Sequence, residues 1–324
     1  MTLPKAELHC HLEGAAHPEL VLRLGKKHGI KVDDIVDGDR YVWNDFTTFL
    51  NCYDRASSVF RSGEDYRLLT YDVLRRMHED GAIFGEIFVS LDHPVSQGLD
   101  YETFMEAVDA GMGDAEQEFG IVTRATMTAV RHLGPDAAVA VAQTVADHPH
   151  PRITGFGLAG DERQFAVEDF APAYDIAGNA GLGLTAHAGE FGGPQSVRDC
   201  LDYLNVTRIG HGVRSVEDAE LVERLAEEGI VLEVCPASNI SLGVYDSHAA
   251  HPLRKLYDAG VPVTLSSDDP PFFDTTLANE YAIAREHHGF DDEELLVCTK
   301  AAIEAAFLDD VTRRNLLARL EETA

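Results

Sequence analysis

Four histidines and three carboxylates stand where short apolar runs end in this 324-residue chain. Thr185-Ala-His-Ala-Gly-Glu190 follows the apolar run Gly181-Leu-Gly-Leu184 and sets His187 and Glu190 three residues apart. Near the start, Lys5-Ala-Glu-Leu-His-Cys-His11 carries His9 and His11. A strand alternates its side chains, so these two imidazoles project to one side. His211 lies between two glycines in Arg208-Ile-Gly-His-Gly212, and Asp268-Asp269 follow the run Val261-Pro-Val-Thr-Leu265. Three imidazoles (His9, His11 and His187) with the Asp268 carboxylate suit Zn2+, leaving one coordination position for water. Such an ion lowers the pKa of its water toward ~7 and supplies hydroxide at neutral pH. Glu190 is placed to exchange protons with that water and with substrate. His211 is placed to hold or polarise the hydroxide, and Asp269 to accept a hydrogen bond from substrate.

Each piece alone has a plainer reading. A His-x-His pair is often a hydrogen-bonded, partly buried pair. Asp-Asp-Pro is commonly a turn or a helix start, with Asp269 as a cap. Glu190 could face a helix dipole, and His211 could be a packed loop residue. Metal chemistry follows only if the fold brings all of them to one place.

The elements that would do so alternate along the chain. Apolar runs at 5–11, 83–89, 121–127, 153–158, 181–184, 206–210, 230–234 and 261–265 read as strands. Helical periodicity fills the intervals, at 101–118, 136–146, 167–180, 195–203, 215–228 and 252–259. Ser215 and Asp218 are spaced like a capping box for one of these helices. Repeated β–α alternation means a parallel sheet, and eight units are the number that closes a (β/α)8 TIM barrel. An open doubly wound sheet would favour a Gly-rich phosphate loop after an early strand, and none is present. Barrel enzymes draw their catalytic groups from the C-terminal strand ends, where all of the candidates above fall. The stretch 13–80, with helical patterns at 18–28, 45–61 and 65–79, is a helical insertion after the first strand, expected over that mouth. Within it Phe46, Phe49 and Leu50 share a helix face that serves as core or as a lid. Extra C-terminal helices are expected at 277–287, 293–304 and 311–323. Residues 1–324 are read as one domain.

The chain carries 26 Lys plus Arg against 56 Asp plus Glu, a formal net charge of −30. That surface repels phosphate backbones and anionic membranes, which argues against nucleic-acid or membrane partners. Five scattered cysteines without a CxxC pair fit reduced thiols and a cytoplasmic location. The start shows no signal peptide, and no run approaches the ~18 apolar residues of a membrane span. The histidines outside the candidate set, among them His148, His150, His287 and His288, are expected on the surface. Nothing in the chain specifies an oligomeric state.

These residues together resemble the adenosine/adenine deaminase family of metal-dependent amidohydrolases. The matching pieces are Glu7-Leu-His-Cys-His-Leu-Glu-Gly14, Leu158-Ala-Gly-Asp-Glu162, Thr185-Ala-His-Ala-Gly-Glu190, Arg208-Ile-Gly-His-Gly212, Cys235-Pro-Ala-Ser-Asn239, His251-Pro-Leu253 and Ser267-Asp-Asp-Pro270. They span nearly the whole chain in the family's order. The resemblance implies one Zn2+ held by His9, His11, His187 and Asp268. It implies that Glu190 protonates purine N1 and that His211 orients the attacking hydroxide. Asp269 would bond N7 and the Gly160 N–H would bond N3. Binuclear relatives carry a carboxylated Lys on the fourth strand; 153–158 has none, which favours a single ion. The implied reaction is hydrolytic deamination of adenosine or deoxyadenosine to inosine or deoxyinosine, with adenine or a modified adenine nucleoside as alternative substrates. Glu13 stands where adenosine-specific members usually carry a ribose-contacting Asp, as in many adenine deaminases. Phe191-Gly-Gly-Pro194 and Ile209 resemble the adenosine branch instead, and tip the expectation toward the nucleoside. Hydrolysis of a non-purine amide or ester, or an inactive metal- or nucleoside-binding homologue, are the competing readings.

Overall fold

The structure is a computed structural model and describes residues 3–323. Among these residues, eight parallel strands follow one another around a single sheet in chain order. They are β1 (Lys5–His11), β2 (Ala82–Val89), β3 (Val122–Val130), β4 (Ile153–Ala159), β5 (Gly183–Ala188), β6 (Arg208–His211), β7 (Val231–Val234) and β8 (Val263–Leu265). The ring closes just beyond β8. Asp268 N donates to His9 O at 2.9 Å, and His11 N donates to Asp268 O at 3.1 Å. Cys10 and Asp268 pair there as a parallel bridge. The closing seam of the barrel is therefore built from the backbones of three candidate ligands. The expected (β/α)8 TIM barrel is the observed fold.

Boundaries shift where polar side chains enter the barrel. The apolar run 181–184 stops short of the strand's end: β5 spans Gly183–Ala188 and takes in Thr185 and His187. Both are polar, so the apolar pattern ends before the strand does. Thr185 Oγ1 is satisfied inside the barrel by Glu233 Oε1 at 3.0 Å. Likewise β6 begins at Arg208, which is fully buried between Glu86 and Glu233. The expected helix at 215–228 is a short turn, Val213–Glu217, followed by Ala219–Glu228. Asp218, rather than a Ser215 capping box, is the cap: its Oδ1 accepts from the amides of Glu220 (3.1 Å) and Leu221 (3.2 Å). Ser215 is buried instead.

The insertion after β1 holds α1 (Pro18–His28), a two-residue hairpin pair, α2 (Phe46–Ser57) and α3 (Gly63–Glu79). A capping box between Asp45 and Thr48 starts α2. Phe49, Cys52 and Ala56 recur at helical spacing and are buried. The adjoining stripe, Phe46, Leu50 and Tyr53, faces a cavity at the C-terminal end of the barrel. Phe49 borders that cavity too, so the apolar face of the helix is shared between core and cavity wall. After β8 come Leu277–His288, Asp292–Ala305 and Asp310–Thr323, as expected. Thr299 anchors the middle one to the start of β1, donating to Pro4 O at 3.0 Å. Among the described residues no helix is long and apolar enough to cross a membrane.

Candidate active site

The strand ends bring the candidate ligands together. One ligand atom from each of His9, His187, His211 and Asp268 lies within 4.8 Å of the others. His11 joins them: its Nε2 is 3.2 Å from His187 Nε2 and 3.4 Å from Asp268 Oδ1. His9 Nε2 is 3.6 Å from Asp268 Oδ1. Burial and neighbouring imidazoles push the His9, His11 and His211 pKa values well down. Burial brings His187 to about 4. All four rings are then neutral donors at physiological pH, the form that binds metal. His9 Nε2 is buried without a hydrogen-bond partner. An orphaned ring nitrogen amid imidazoles and a carboxylate fits a divalent cation that accepts N and O donors. Backbone geometry is unusual at two of these residues. His211 and Asp268 both hold φ of 61°, the left-handed region that side chains other than glycine seldom adopt. Such strain costs on the order of 1–3 kcal/mol and is tolerated where surrounding structure fixes it.

A second set of polar groups aims the first. Glu233 Oε2 lies 2.7 Å from His9 Nδ1, so that ring donates from Nδ1 and keeps Nε2 bare. Arg208 Nε holds the other Glu233 oxygen at 2.7 Å. Ser238 Oγ donates to Asp268 Oδ2 at 2.6 Å. Glu7 spans the closing seam, accepting from His9 N (3.0 Å) and from Ser267 N (3.0 Å) and Oγ (2.6 Å). Glu162 accepts four successive amides, from Gly189 (2.6 Å), Glu190 (3.1 Å), Phe191 (2.6 Å) and Gly192 (2.8 Å). Its carboxylate shapes the loop that presents Glu190. A side chain at Gly192 would put Cβ 2.6 Å from Glu162 Oε1 and press on the carboxylate that holds the loop.

Above the cluster is a cavity of about 360 Å3, lined in part by His11, Glu13, Gly160, His187, Glu190, His211, Asp268 and Asp269. Three buried carboxylate oxygens in its wall lack a partner: Glu13 Oε1, Glu190 Oε1 and Asp269 Oδ1. Burial, with Asp268 and Glu162 nearby, holds the Glu190 carboxyl well above the usual range. Burial and the adjacent Asp268 do the same for Asp269. Burial thus favours the protonated form of both carboxyls. Asp269 Oδ1 leans over Gly14, where an added Cβ would sit 1.5 Å from it.

Every residue singled out in the sequence for chemistry therefore reaches this one region. The expectation for the remaining histidines needs correction. His251 and His288 are buried, and His93 and His132 line the cavity. His251 is drawn in because its ring bonds Asn239 at 3.0 Å. Sequence reasoning assigned no role to Glu7, Glu162, Glu233, Ser238, Asn239 or His251. For Glu233 the signal was a lone carboxylate inside an apolar strand.

The adenosine deaminase family model matches residues 4–323. The chain belongs to the adenosine deaminase family. It is a hydrolytic deaminase acting on C–N bonds, as its motifs imply. An adenine deaminase of Sinorhizobium medicae is 53% identical over 318 residues, covering 98% of each chain. The crystal structure of an adenine deaminase from Arthrobacter aurescens superposes with a TM-score of 0.92 at 31% identity, covering 99% of this chain and 98% of that one. A Burkholderia ambifaria amidohydrolase with bound Zn matches at 0.91 and 29%, covering 99% and 90%. Two of these three relatives are adenine deaminases, whereas the sequence motifs tip the expectation toward adenosine. The features that tip it that way have local packing roles in this deaminase. Phe191 lies against Phe46, with ring centroids 4.8 Å apart, and its carbonyl accepts from Arg214 at 2.6 Å.

Proposed function

We propose that this enzyme converts adenine and water to hypoxanthine and ammonia. The observation that carries the choice of free base is Glu13 in the cavity wall, a buried carboxyl with the Tyr66 hydroxyl beside it and its Oε1 left without a well-formed hydrogen bond. Adenine carries a ring N–H at N9 that can satisfy such an acceptor; adenosine has its ribose there and no N–H. A cavity of about 360 Å3 is at the small end of the ~300–1,000 Å3 range for ligand pockets, which suits a bare purine. Among the described residues its wall has no Lys or Arg but includes Glu13, Asp54, Asp92, Glu190, Asp268 and Asp269. That charge disfavours a nucleotide phosphate.

We assign one Zn2+ to His9, His11, His187 and Asp268. Bound there, the ion would supply a water of lowered pKa as nucleophile. The remaining steps belong to side chains. Glu190 gives its proton to purine N1, which draws electron density from C6 and opens it to attack. Asp269, protonated, donates to N7, while the Gly160 N–H meets N3. His211 orients the oxygen approaching C6. Of the water's two protons, one returns to Glu190 and the other goes to the 6-amino group, which leaves as ammonia when its bond to C6 breaks. The test is a side-by-side comparison of kcat/KM on adenine, adenosine, deoxyadenosine and a larger adenine nucleoside, read by ammonia release. Adenine is expected to exceed adenosine by roughly 10⁴-fold, the scale at which a site built to hydrogen-bond an N–H rejects an analogue lacking it. Faster turnover of adenosine would return the assignment to the nucleoside.

A further inference from the structure

A chain of three hydrogen bonds runs from an unambiguous donor to His211. The Leu253 backbone N–H donates to His251 Nδ1 at 3.2 Å. A backbone amide can only donate, so His251 Nδ1 is bare and its proton sits on Nε2. His251 Nε2 lies 3.0 Å from Asn239 Oδ1 and therefore donates to it. That pins the Asn239 amide with its nitrogen toward His211, 3.3 Å from Nδ1. The nitrogen can only donate, so His211 Nδ1 is an acceptor. We infer that Asn239 and His251 are positioning residues that lock His211 as its Nε2–H tautomer, making it a hydrogen-bond donor to the incoming oxygen and barring it from the metal.

The reasoning rests on the proposed deamination for the role of the oxygen, but the tautomer stands on the hydrogen bonds alone. It also separates two sets of candidate ligands. His211 and His11 both lie close enough to Asp268 to share an ion with it. His211 bound through Nε2 would carry its proton on Nδ1, facing the Asn239 amide donor, with two N–H groups opposed. His9 has the opposite arrangement, with Nδ1 donating to Glu233 and Nε2 free. Asn239 and His251 are both buried, so water does not substitute for either link.

Long-range 1H–15N correlation on the zinc-reconstituted enzyme, labelled at histidine, reads the tautomer directly. His211 is expected with its proton on Nε2 and no metal shift. Asn239→Asp replaces the donor by an acceptor and is expected to move the proton to Nδ1. It should lower kcat by roughly 10²- to 10⁴-fold with KM little changed, as other wrong-tautomer variants do. His251→Phe removes the donor that orients Asn239, and His251→Gln restores an N–H there. The Gln variant should recover most of the kcat that the Phe variant loses. A proton on Nδ1 of His211 in the unsubstituted enzyme overturns the inference, as does an Asn239→Asp variant with tautomer and kcat intact. Inactivity on adenine with the Nε2–H signal present would count against the substrate and leave the tautomer assignment standing.

Discussion

Glu233 Oε2 and His9 Nδ1 meet at 2.7 Å in the interior of the barrel, with both side chains fully buried. The carboxylate is itself held by Arg208, which also pairs with Glu86. A buried ion network thus ends on the one ring nitrogen that must be protonated for His9 Nε2 to be free. Glu233→Gln is expected to weaken zinc affinity by about 10- to 100-fold, the usual effect of losing such a partner. Competition with a chromogenic chelator measures it. Unchanged affinity would mean that Glu233 serves only Arg208.

Glu162 presents the Glu190 loop by accepting four amides. Hydrogen bonds to a charged group contribute about 1.5–3 kcal/mol each, though not additively. Glu162→Gln brings an NH2 against those amide donors. We expect at least ~2 kcal/mol lost in denaturant unfolding and a fall in kcat larger than any rise in KM. A variant as stable and active as its parent would remove Glu162 from this role.

Glu13 is the residue on which base recognition turns. Glu13→Gln keeps the size and replaces the carboxyl by an amide. The expected result is a fall of roughly 10- to 100-fold in kcat/KM for adenine, matching the cost of one buried hydrogen bond left unmade. The kcat/KM for adenosine should move far less. Equal losses on both would place Glu13 in folding rather than in recognition.

Glu280 supplies a pH signature of stability. Burial raises its carboxyl from the ordinary 4.5 to about 8, despite hydrogen bonds from Thr275 and from Ala237 N. The folded state therefore holds a proton that the unfolded chain releases near 4.5. Its contribution to stability is full below that pH and is lost as pH rises toward 8. Glu280→Gln should flatten this decline between about pH 5 and 8 in thermal melts. A slope identical to that of the parent would refute the assignment.

The formal charge of −30 opposes compaction through self-repulsion. Added NaCl shortens the Debye length from about 10 Å at 0.1 M to about 3 Å at 1 M. The melting temperature is expected to rise over that range. A fall would show that paired surface charges, such as Arg55 with Asp34, outweigh the repulsion.

Local pattern determined a good deal of this enzyme. Alternating runs specify eight β–α units because burial on both faces of a strand demands apolar sequence. The order of His9, His11, His187, Glu190, His211, Asp268 and Asp269 at run ends was visible for the same reason: polar residues there break the pattern. Tertiary structure decided what those residues become. Thr185 and His187 are strand residues only because Glu233 and the cluster satisfy them inside the barrel, and a local pattern does not see a partner 48 positions away. The capping of the Glu190 loop by Glu162 spans 27 to 30 residues, and the His9–Glu233 contact spans 224. His251 looked like a surface histidine until the fold laid it against Asn239. Long-range contacts depend on chain closure, and closure here happens at Cys10 and Asp268, near opposite ends of the chain.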